Sequence, residues 1–480
     1  MATNLIGRQR ERDVLDRAMA STEAELVAIY GRRRVGKTYL IREVLGAEIC
    51  FELTGAHSAT LRTQLGNFAA ALRHSLDPKC SIVPDDWRSA FEQLRAALRK
   101  RRAGARKRVV FLDELPWLAA RRSEFLPAFE HFWNSWAVTQ RDLVVVVCGS
   151  AAAWMVRELL QARGGLHNRV TRKIRLAPFT IAETEQYLLS RGIDLGRYQT
   201  LELYSALGGI PHYLRHLERG DSASTAIDRM CFARDGELHD EFNQLYSSLF
   251  EHSERHVGLI RALAKAPSGL TRSELVVASA VPSGGTISRT LDELEMSGFV
   301  LRMPQLTRAK RDAIYRLGDE YSLFFLKWIE THRGRADGIW INRRGTPAWR
   351  AWSGYAFEGM CLKHVAAIKR ALGIDAVETI EAAWSHRPSS TGDHGAQIDL
   401  VIDRKDATIN VCEMKFSENP FTIDKRYAGE LRTKRDVFRR VTATRKAVVL
   451  TMITTYGVVP GAYTTELVDK ALTMDALFER

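Results

Sequence analysis

Gly31-Arg-Arg-Arg-Val-Gly36-Lys37-Thr38 constrains the fold more than any other stretch of this chain. It reads GxxxxGK[ST], and its flanks suit a phosphate-binding loop. Glu25–Tyr30 is an apolar strand candidate, and Tyr39–Leu45 has helical spacing. A strand, a glycine-bounded loop and a helix in that order aim main-chain N–H groups and a helix N-terminus at one point, where an anion is held. The expected nucleotide cradle is Gly31, Arg34, Val35 and Gly36 with Lys37, Thr38 and Tyr39. Lys37 reaches the β- and γ-phosphates, and the Thr38 hydroxyl faces Mg²⁺.

Two further strands supply partners for that loop. Val109-Val-Phe-Leu-Asp113-Glu114 is an apolar run ending in two carboxylates. Asp113 is expected to hold the metal through water, and Glu114 to orient or deprotonate the attacking water. Leu143–Gly149 ends at Ser150, which suits a γ-phosphate sensor or the N-cap of the helix-prone Ala151–Val156.

Length and charge bound the rest. A chain of 480 residues exceeds one core and predicts three or four domains. The net charge of +13 favours an anionic partner, with nucleic acid, DNA foremost, ahead of a charge that serves only solubility. The six cysteines are scattered without a CxxC pair, which reads as buried thiols in a reducing compartment. Arg8 interrupts any signal-peptide pattern and no apolar run approaches 18 residues, so a cytoplasmic location without a membrane span is expected.

Ile6-Gly7-Arg8 with Glu11, the loop GRRRVGKT, FLDELPW, Arg169 before Ile174–Phe179, and Gly208-Gly-Ile-Pro211 together resemble the AAA+-like archaeal ATPase family of the STAND class, which also occurs in bacteria. The resemblance covers about residues 4–330. It implies that Arg8 and Pro211 flank the adenine side of bound ATP. It also implies a γ-phosphate-sensing or neighbour-reaching role for Arg169, with Arg172 near enough to be confused with it; a structural ion pair is the alternative for either.

Residues 178–250 read as a helical lid. His212/His216 and His252/His256 are spaced for one helical face, but no third ligand accompanies either pair. Residues 251–330 read as a winged helix. Thr271…Glu274 has capping-box spacing, Thr286–Gly298 forms a recognition helix, and two strands flank a basic turn with Arg308, Lys310 and Arg311. Thr286, Ser288 and Arg289 are available to a DNA groove, whereas Asp292, Glu293 and Glu295 repel phosphate, so DNA contact and an internal clamp stand level. The basic run Arg99–Arg108 suits a solvated loop or a landing site for a polyanion.

After an Arg- and Gly-rich break at 331–347, residues 345–480 carry a second constellation. Trp352–Glu358 begins a helix, Ala396–Ile402 is a strand holding Asp399, and Thr408–Lys415 is a strand ending Glu413-Met-Lys415. Alternation puts Glu413 and Lys415 on one face. With Asp399 and Glu358 they gather three acids and one lysine, the set required for Mg²⁺-dependent phosphodiester hydrolysis. The arrangement resembles the PD-(D/E)xK nuclease superfamily. It implies Glu358, Asp399 and Glu413 as metal ligands beside Thr38 and Asp113, and Asp399, Glu413 and Lys415 as catalytic beside Glu114. Arg432, Lys434 and Arg435 are placed to add phosphate contacts, and a degenerate docking platform is the alternative.

The expected architecture is therefore an α/β multidomain chain. A P-loop ATPase domain (1–177) precedes a helical lid (178–250), a winged helix (251–330) and a restriction-endonuclease-like α/β domain (345–480). The expected function is slow, regulatory ATP hydrolysis, with ATP and Mg²⁺ as cofactors, controlling a nuclease-like domain on nucleic acid. A non-cleaving signalling switch that binds DNA or protein is the rival, and a homo-oligomer or a regulatory protein partner is compatible with both.

Overall fold

Each of the first four strands of the N-terminal region is followed by a helical segment before the next strand, a pattern that builds a parallel sheet. The computed structural model describes residues 5–100, 106–120, 123–161, 166, 168–279, 281, 284–306, 313–332, 338–388 and 393–479. The middle of the basic run (101–105) and the wing turn with Arg308, Lys310 and Arg311 lie outside them. The chain divides into two compact units, Met1–Ala177 and Pro178–Arg480.

In the first unit, β1 (Glu25–Tyr30), β2 (Ile49–Thr54), β3 (Arg108–Asp113), β4 (Leu143–Gly149) and β5 (Arg172–Arg175) form one sheet in the order β2-β3-β4-β1-β5. All its pairings are parallel. Strands β3 and β4 are buried throughout, as their Val-rich runs require. One face, with Leu26, Ala28, Val110, Leu112, Val145 and Val147, packs on an aromatic cluster that includes Phe68, Trp87, Phe91, Phe125 and Trp133. Tyr30 pairs with Gly149, and Leu112 with Val147. The loops after β1, β4 and β3 therefore leave side by side at the carboxyl edge, where β1 and its sequence successor β2 lie apart in the sheet. Such a reversal in strand order opens a crevice for ligands.

The described part of the basic run is mostly committed to this unit. Lys107 donates to the Glu23 carbonyl, Arg108 pairs with Asp142 at 2.7 Å, and Arg106 pairs with Glu48 at 2.9 Å. Lys107 and Arg108 are buried. They anchor the start of β3 and so are not part of a landing site.

The second unit begins with helices Ile181–Ser190, Gly196–Leu207, Ala223–Cys231 and Glu241–Leu249. The first has a full capping box from Thr180 and Glu183. Helices Ser253–Ala264, Arg272–Ser279 and Gly285–Met296 follow, with β6 (Leu270–Thr271), β7 (Val300–Met303) and β8 (Ile314–Leu317) in an antiparallel sheet, order β6-β8-β7.

The C-terminal part is a mixed sheet between helices. Its strands are β9 (Thr379–His386), β10 (Ala396–Arg404), β11 (Thr408–Lys415), β12 (Ala447–Thr454) and β13 (Lys470–Leu472), in the order β13-β12-β11-β10-β9. β9, β10 and β11 are antiparallel, whereas β12 and β13 join in parallel. Helix Pro347–Lys363 buries Phe357, Met360 and Cys361 against Leu400, Ile402, Cys412 and Met414 on one face. Helix Lys425–Thr442 buries Leu431, Val437 and Phe438 against Ile398, Val401 and Val411 on the other. Among the described residues no helix is long and apolar enough to cross a membrane.

Candidate functional site

The first site lies in the loop between β1 and helix Lys37–Leu45. Gly36 caps that helix at φ 91°, a left-handed backbone that glycine adopts without strain. A Cβ on Gly31 would lie 2.1 Å from the Leu176 carbonyl oxygen, so no other residue fits there without a backbone shift. The Lys37 ammonium is buried and donates to the carbonyls of Gly31 (3.0 Å) and Arg32 (2.9 Å). Thr38 Oγ1 donates to Asp113 Oδ2 at 2.7 Å, bridging 75 residues of sequence. Loop amides, a helix N-terminus, one ammonium and a hydroxyl–carboxylate pair suit a triphosphate and a hard divalent cation.

The remaining residues of this cradle are distributed around the loop. Arg34 adopts a left-handed φ of 70° and Val35 is buried. Arg8, also left-handed and buried, reaches the Val35 carbonyl at 3.4 Å. Tyr39 is 48% exposed on the first helical turn. Arg172 is a structural residue, paired with Glu25 at 2.8 Å, and Arg169 is exposed in the preceding turn. Pro211 opens the short helix Pro211–Leu214 in the second unit, after a turn where the Phe179 N–H donates to the Gly209 carbonyl.

Glu114 is held in a way the sequence did not reveal. It sits at φ 48°, and its N–H donates to Asp113 Oδ1 at 2.9 Å. Its carboxylate accepts the Ser150 N–H at 3.1 Å and lies 2.7–2.9 Å from Ser150 Oγ. Ser150 is not a helix cap, since that position falls to Ala151. Strand order explains the contact: β4 separates β1 from β3, which brings the residue after β4 beside the residue after β3. The neighbouring Cys148 thiol is pushed up by burial and then by Asp113, which keeps it protonated.

The second site lies on the C-terminal sheet. Leu400 faces Cys412 across β10 and β11, which sets Asp399 and Glu413 on adjacent strands one position further along. The β10–β9 register slips between Ile398 and Val401, a bulge that re-aims Asp399. Asp399 accepts from Gln397 Nε2 at 3.0 Å and from Arg316 Nη2, and Arg316 Nη1 is 4.0 Å from Glu358 Oε2. Glu413 accepts from Lys434 at 2.6 Å and from the Tyr427 hydroxyl at 3.3 Å. Lys415 Nζ stands 5.0 Å from the Tyr427 ring centroid.

Electrostatics bind this cluster together. Burial, and then the charge on Asp399, pushes Glu358 up to about 7. Burial acts upward on Asp399 too, but the Arg316 guanidinium outweighs it and holds the carboxyl below the usual range. Burial and Glu413 raise the Tyr427 phenol. Among the described residues no group of three or more His, Cys, Asp or Glu is arranged to hold a metal ion. Two of these carboxylates are paired with bases instead, Asp399 with Arg316 and Glu413 with Lys434. Lys434 and Arg432 are not spare phosphate ligands, because Arg432 is paired with Glu466 at 2.6 Å. Arg316 was missed as a site residue because it sits on β8, 83 positions before Asp399.

The segment that follows β7 is hydrogen-bonded to β9 within the second unit. The Leu306 N–H donates to the Ala383 carbonyl of β9, and the Ala383 N–H donates to the Pro304 carbonyl, both at 2.9 Å. Ser288 accepts from Arg272, and Arg289 pairs with Glu293. The His256 ring bonds the His252 carbonyl and Glu293 while stacking on Phe250, and His216 pairs with Glu237.

Residues 5–217 match the family described as an ATPase domain predominantly from Archaea. Over 422 residues the chain is 20% identical to an uncharacterized protein of Methanocaldococcus jannaschii, covering 86% of this chain and 88% of that one. Among solved structures, a Walker-type ATPase of Pyrococcus abyssi is similar at 18% identity and a TM-score of 0.49, over 68% of this chain and 97% of that chain. The ORC2 protein of Aeropyrum pernix is similar at 14% identity and a TM-score of 0.42, over 68% and 94%.

Proposed function

We propose that this chain, whose residues 5–217 carry an ATPase domain of that predominantly archaeal family, is a slow regulatory ATPase whose nucleotide state controls a Mg²⁺-dependent nuclease-like site acting on nucleic acid, DNA foremost. The single observation that carries the ATPase half is the Thr38–Asp113 hydrogen bond beside the buried Lys37 at a helix N-terminus. Bound ATP and Mg²⁺ supply the scissile phosphoanhydride and a hard cation that neutralises its charge. The chain's own residues do the rest. Main-chain amides and Lys37 grip the phosphates, Thr38 and Asp113 hold the cation, and Glu114 takes a proton from water. Calorimetry tests the grip: wild type gives heat on ATP titration and Lys37→Ala gives none. Unchanged affinity in the variant would contradict the assignment.

The nuclease half rests on Asp399, Glu413 and Lys415 on adjacent strands of a mixed sheet, with Glu358 on helix Pro347–Lys363 near enough to feel their charges. Its test is nicking of supercoiled plasmid with Mg²⁺ or Mn²⁺, present in wild type and lost in Lys415→Ala. The rival, a non-cleaving switch, is favoured by the Lys434–Glu413 and Arg316–Asp399 pairs, which neutralise the acids. Absence of nicking in every nucleotide state selects it.

A further inference from the structure

The chain leaves β11 and β12 side by side, since Lys415 pairs with Thr454 in parallel. Each exit carries an aromatic residue, Phe416 after β11 and Tyr456 after β12. Tyr198, in the first turn of helix Gly196–Leu207, lies nearly parallel to both. Its ring centroid is 5.5 Å from that of Phe416 at 27°, and 5.6 Å from that of Tyr456 at 18°. Phe416 packs on Trp349 and Phe357, whereas Tyr456 is 39% exposed. The stack therefore runs from the core to the surface and ends on a ring that is held in place. Tyr198 and Tyr456 line an open cavity of about 590 Å³ together with Gln199, Arg344 and Met474. That volume lies within the range of small-ligand sites.

The charges around this cavity narrow what can enter. Arg344 stands 6.0 Å from the Tyr198 ring centroid, and its Nε is 3.3 Å from Glu202 Oε1. Glu202 is buried, and burial raises its carboxyl, which favours the neutral form and leaves Arg344 more of its charge. A cationic guest is opposed, because the guanidinium already faces the Tyr198 ring. Arg197, also on the lining, is committed to Glu185 at 3.3 Å and to Asp475 at 2.5 Å. Burial, with Glu418 adding to it, raises the Tyr198 and Tyr456 phenols, so this exposed acid is close as well. One available arginine near one exposed acid suits a single phosphate and repels a run of them. A flat aromatic face, a roomy cavity and one cation match a planar ring that carries one phosphate.

We propose that this cavity receives one unpaired nucleotide of a single-stranded nucleic acid, its base stacked on Tyr456 and its phosphate on Arg344. A base inside a duplex is already stacked and has no free face to offer. One stacked base with one phosphate contact holds a free nucleotide only at about the millimolar level, so the neighbouring nucleotides of the strand supply the rest of the affinity. The proposal rests on the nucleic-acid part of the function above and is independent of cleavage.

The probe is a short oligothymidylate with one central 2-aminopurine, whose fluorescence falls when it stacks on an aromatic ring. It is titrated with the full-length chain in a Lys37→Ala background, which keeps the P-loop out of the measurement. The expected result is quenching on binding, affinity within about twofold in Tyr456→Phe, and about tenfold weaker binding without quenching in Tyr456→Ala. Annealing the probe to its complement removes the dependence on Tyr456. Tyr456 is exposed, so both variants should fold, and retained quenching in Tyr456→Phe supports the ring as the platform. Equal affinity and quenching in Tyr456→Ala overturns the cavity but keeps nucleic-acid binding. No anisotropy change with strand or duplex in any variant overturns the nucleic-acid reading and the cavity with it. The same Tyr456 dependence in the annealed probe overturns the requirement for an unpaired base. Displacement of the strand by micromolar AMP overturns the assignment to a strand and makes the cavity a free-nucleotide site.

Discussion

Glu114 is a catalytic candidate whose readiness depends on Ser150. With its carboxylate engaged by the Ser150 N–H and hydroxyl, Glu114 is aimed by β4 and is not free to rotate. Ser150→Ala removes the hydroxyl and leaves the amide. The expected outcome is a fall in kcat of about tenfold to a hundredfold, the cost of misplacing a catalytic group by an ångström or so, with ATP affinity unchanged within about threefold. Steady-state hydrolysis and calorimetry check it together. Weakened ATP binding with kcat intact would mean that Ser150 touches the γ-phosphate. The contrast between these residues shows what was legible in the sequence. Gly31, Gly36, Lys37 and Thr38 are readable because phosphate chemistry compresses them into eight consecutive positions. The Ser150–Glu114 and Arg316–Asp399 contacts were not, since each depends on strand order or domain docking rather than on spacing.

At the scale of elements, the P-loop and the junction around His364 carry separate expectations. Gly31→Ala drives a Cβ into the Leu176 carbonyl, so the loop or β5's exit must shift. A loss of about 1–3 kcal/mol, as for other overpacking, is expected in denaturant unfolding, together with weaker ATP binding. At His364, which is buried, Nδ1–H donates to the Met360 carbonyl at 2.7 Å, and Nε2 accepts the Ile181 N–H at 3.2 Å. The second bond ties helix Ile181–Ser190 to helix Pro347–Lys363, and it exists only for neutral imidazole. Burial pushes the histidine down to about 4. In the unfolded chain the same ring titrates near 6.5, so between those values the unfolded state binds the extra proton. The contribution is complete above about 6.5 and falls away toward pH 4, by roughly 1.4 kcal/mol per unit. Urea midpoints measured across that window should drop with acidity, and His364→Gln should flatten the decline. A slope unaltered by the substitution would assign it to other groups. The helices themselves were legible from their periodicity, but their junction was not, because neither His364 nor Ile181 carries a pattern that names the other.

Over the whole molecule the question is how much of the +13 charge is free to meet a polyanion. Much of the basic surface suggested by sequence is spent inside the fold. Lys107 and Arg108 anchor β3, Arg172 holds Glu25, Arg316 and Lys434 neutralise the C-terminal acids, and Arg432 pairs with Glu466. Composition gives total charge correctly but says nothing of pairing, which is a property of the folded chain. Arg99 and Lys100 remain exposed at the end of helix Trp87–Lys100, with Lys100 only loosely paired to Asp77 at 3.5 Å. If this end of the helix meets DNA phosphates, each contact releases counterions and adds about 0.9 to the slope of log affinity against log salt. Reversing both residues to Glu should then lower that slope by about 2 in anisotropy titrations of a duplex between about 50 and 200 mM salt, while leaving ATP affinity alone. A slope identical to wild type would remove this helix end from the nucleic-acid surface and shift the search to charges elsewhere on the chain.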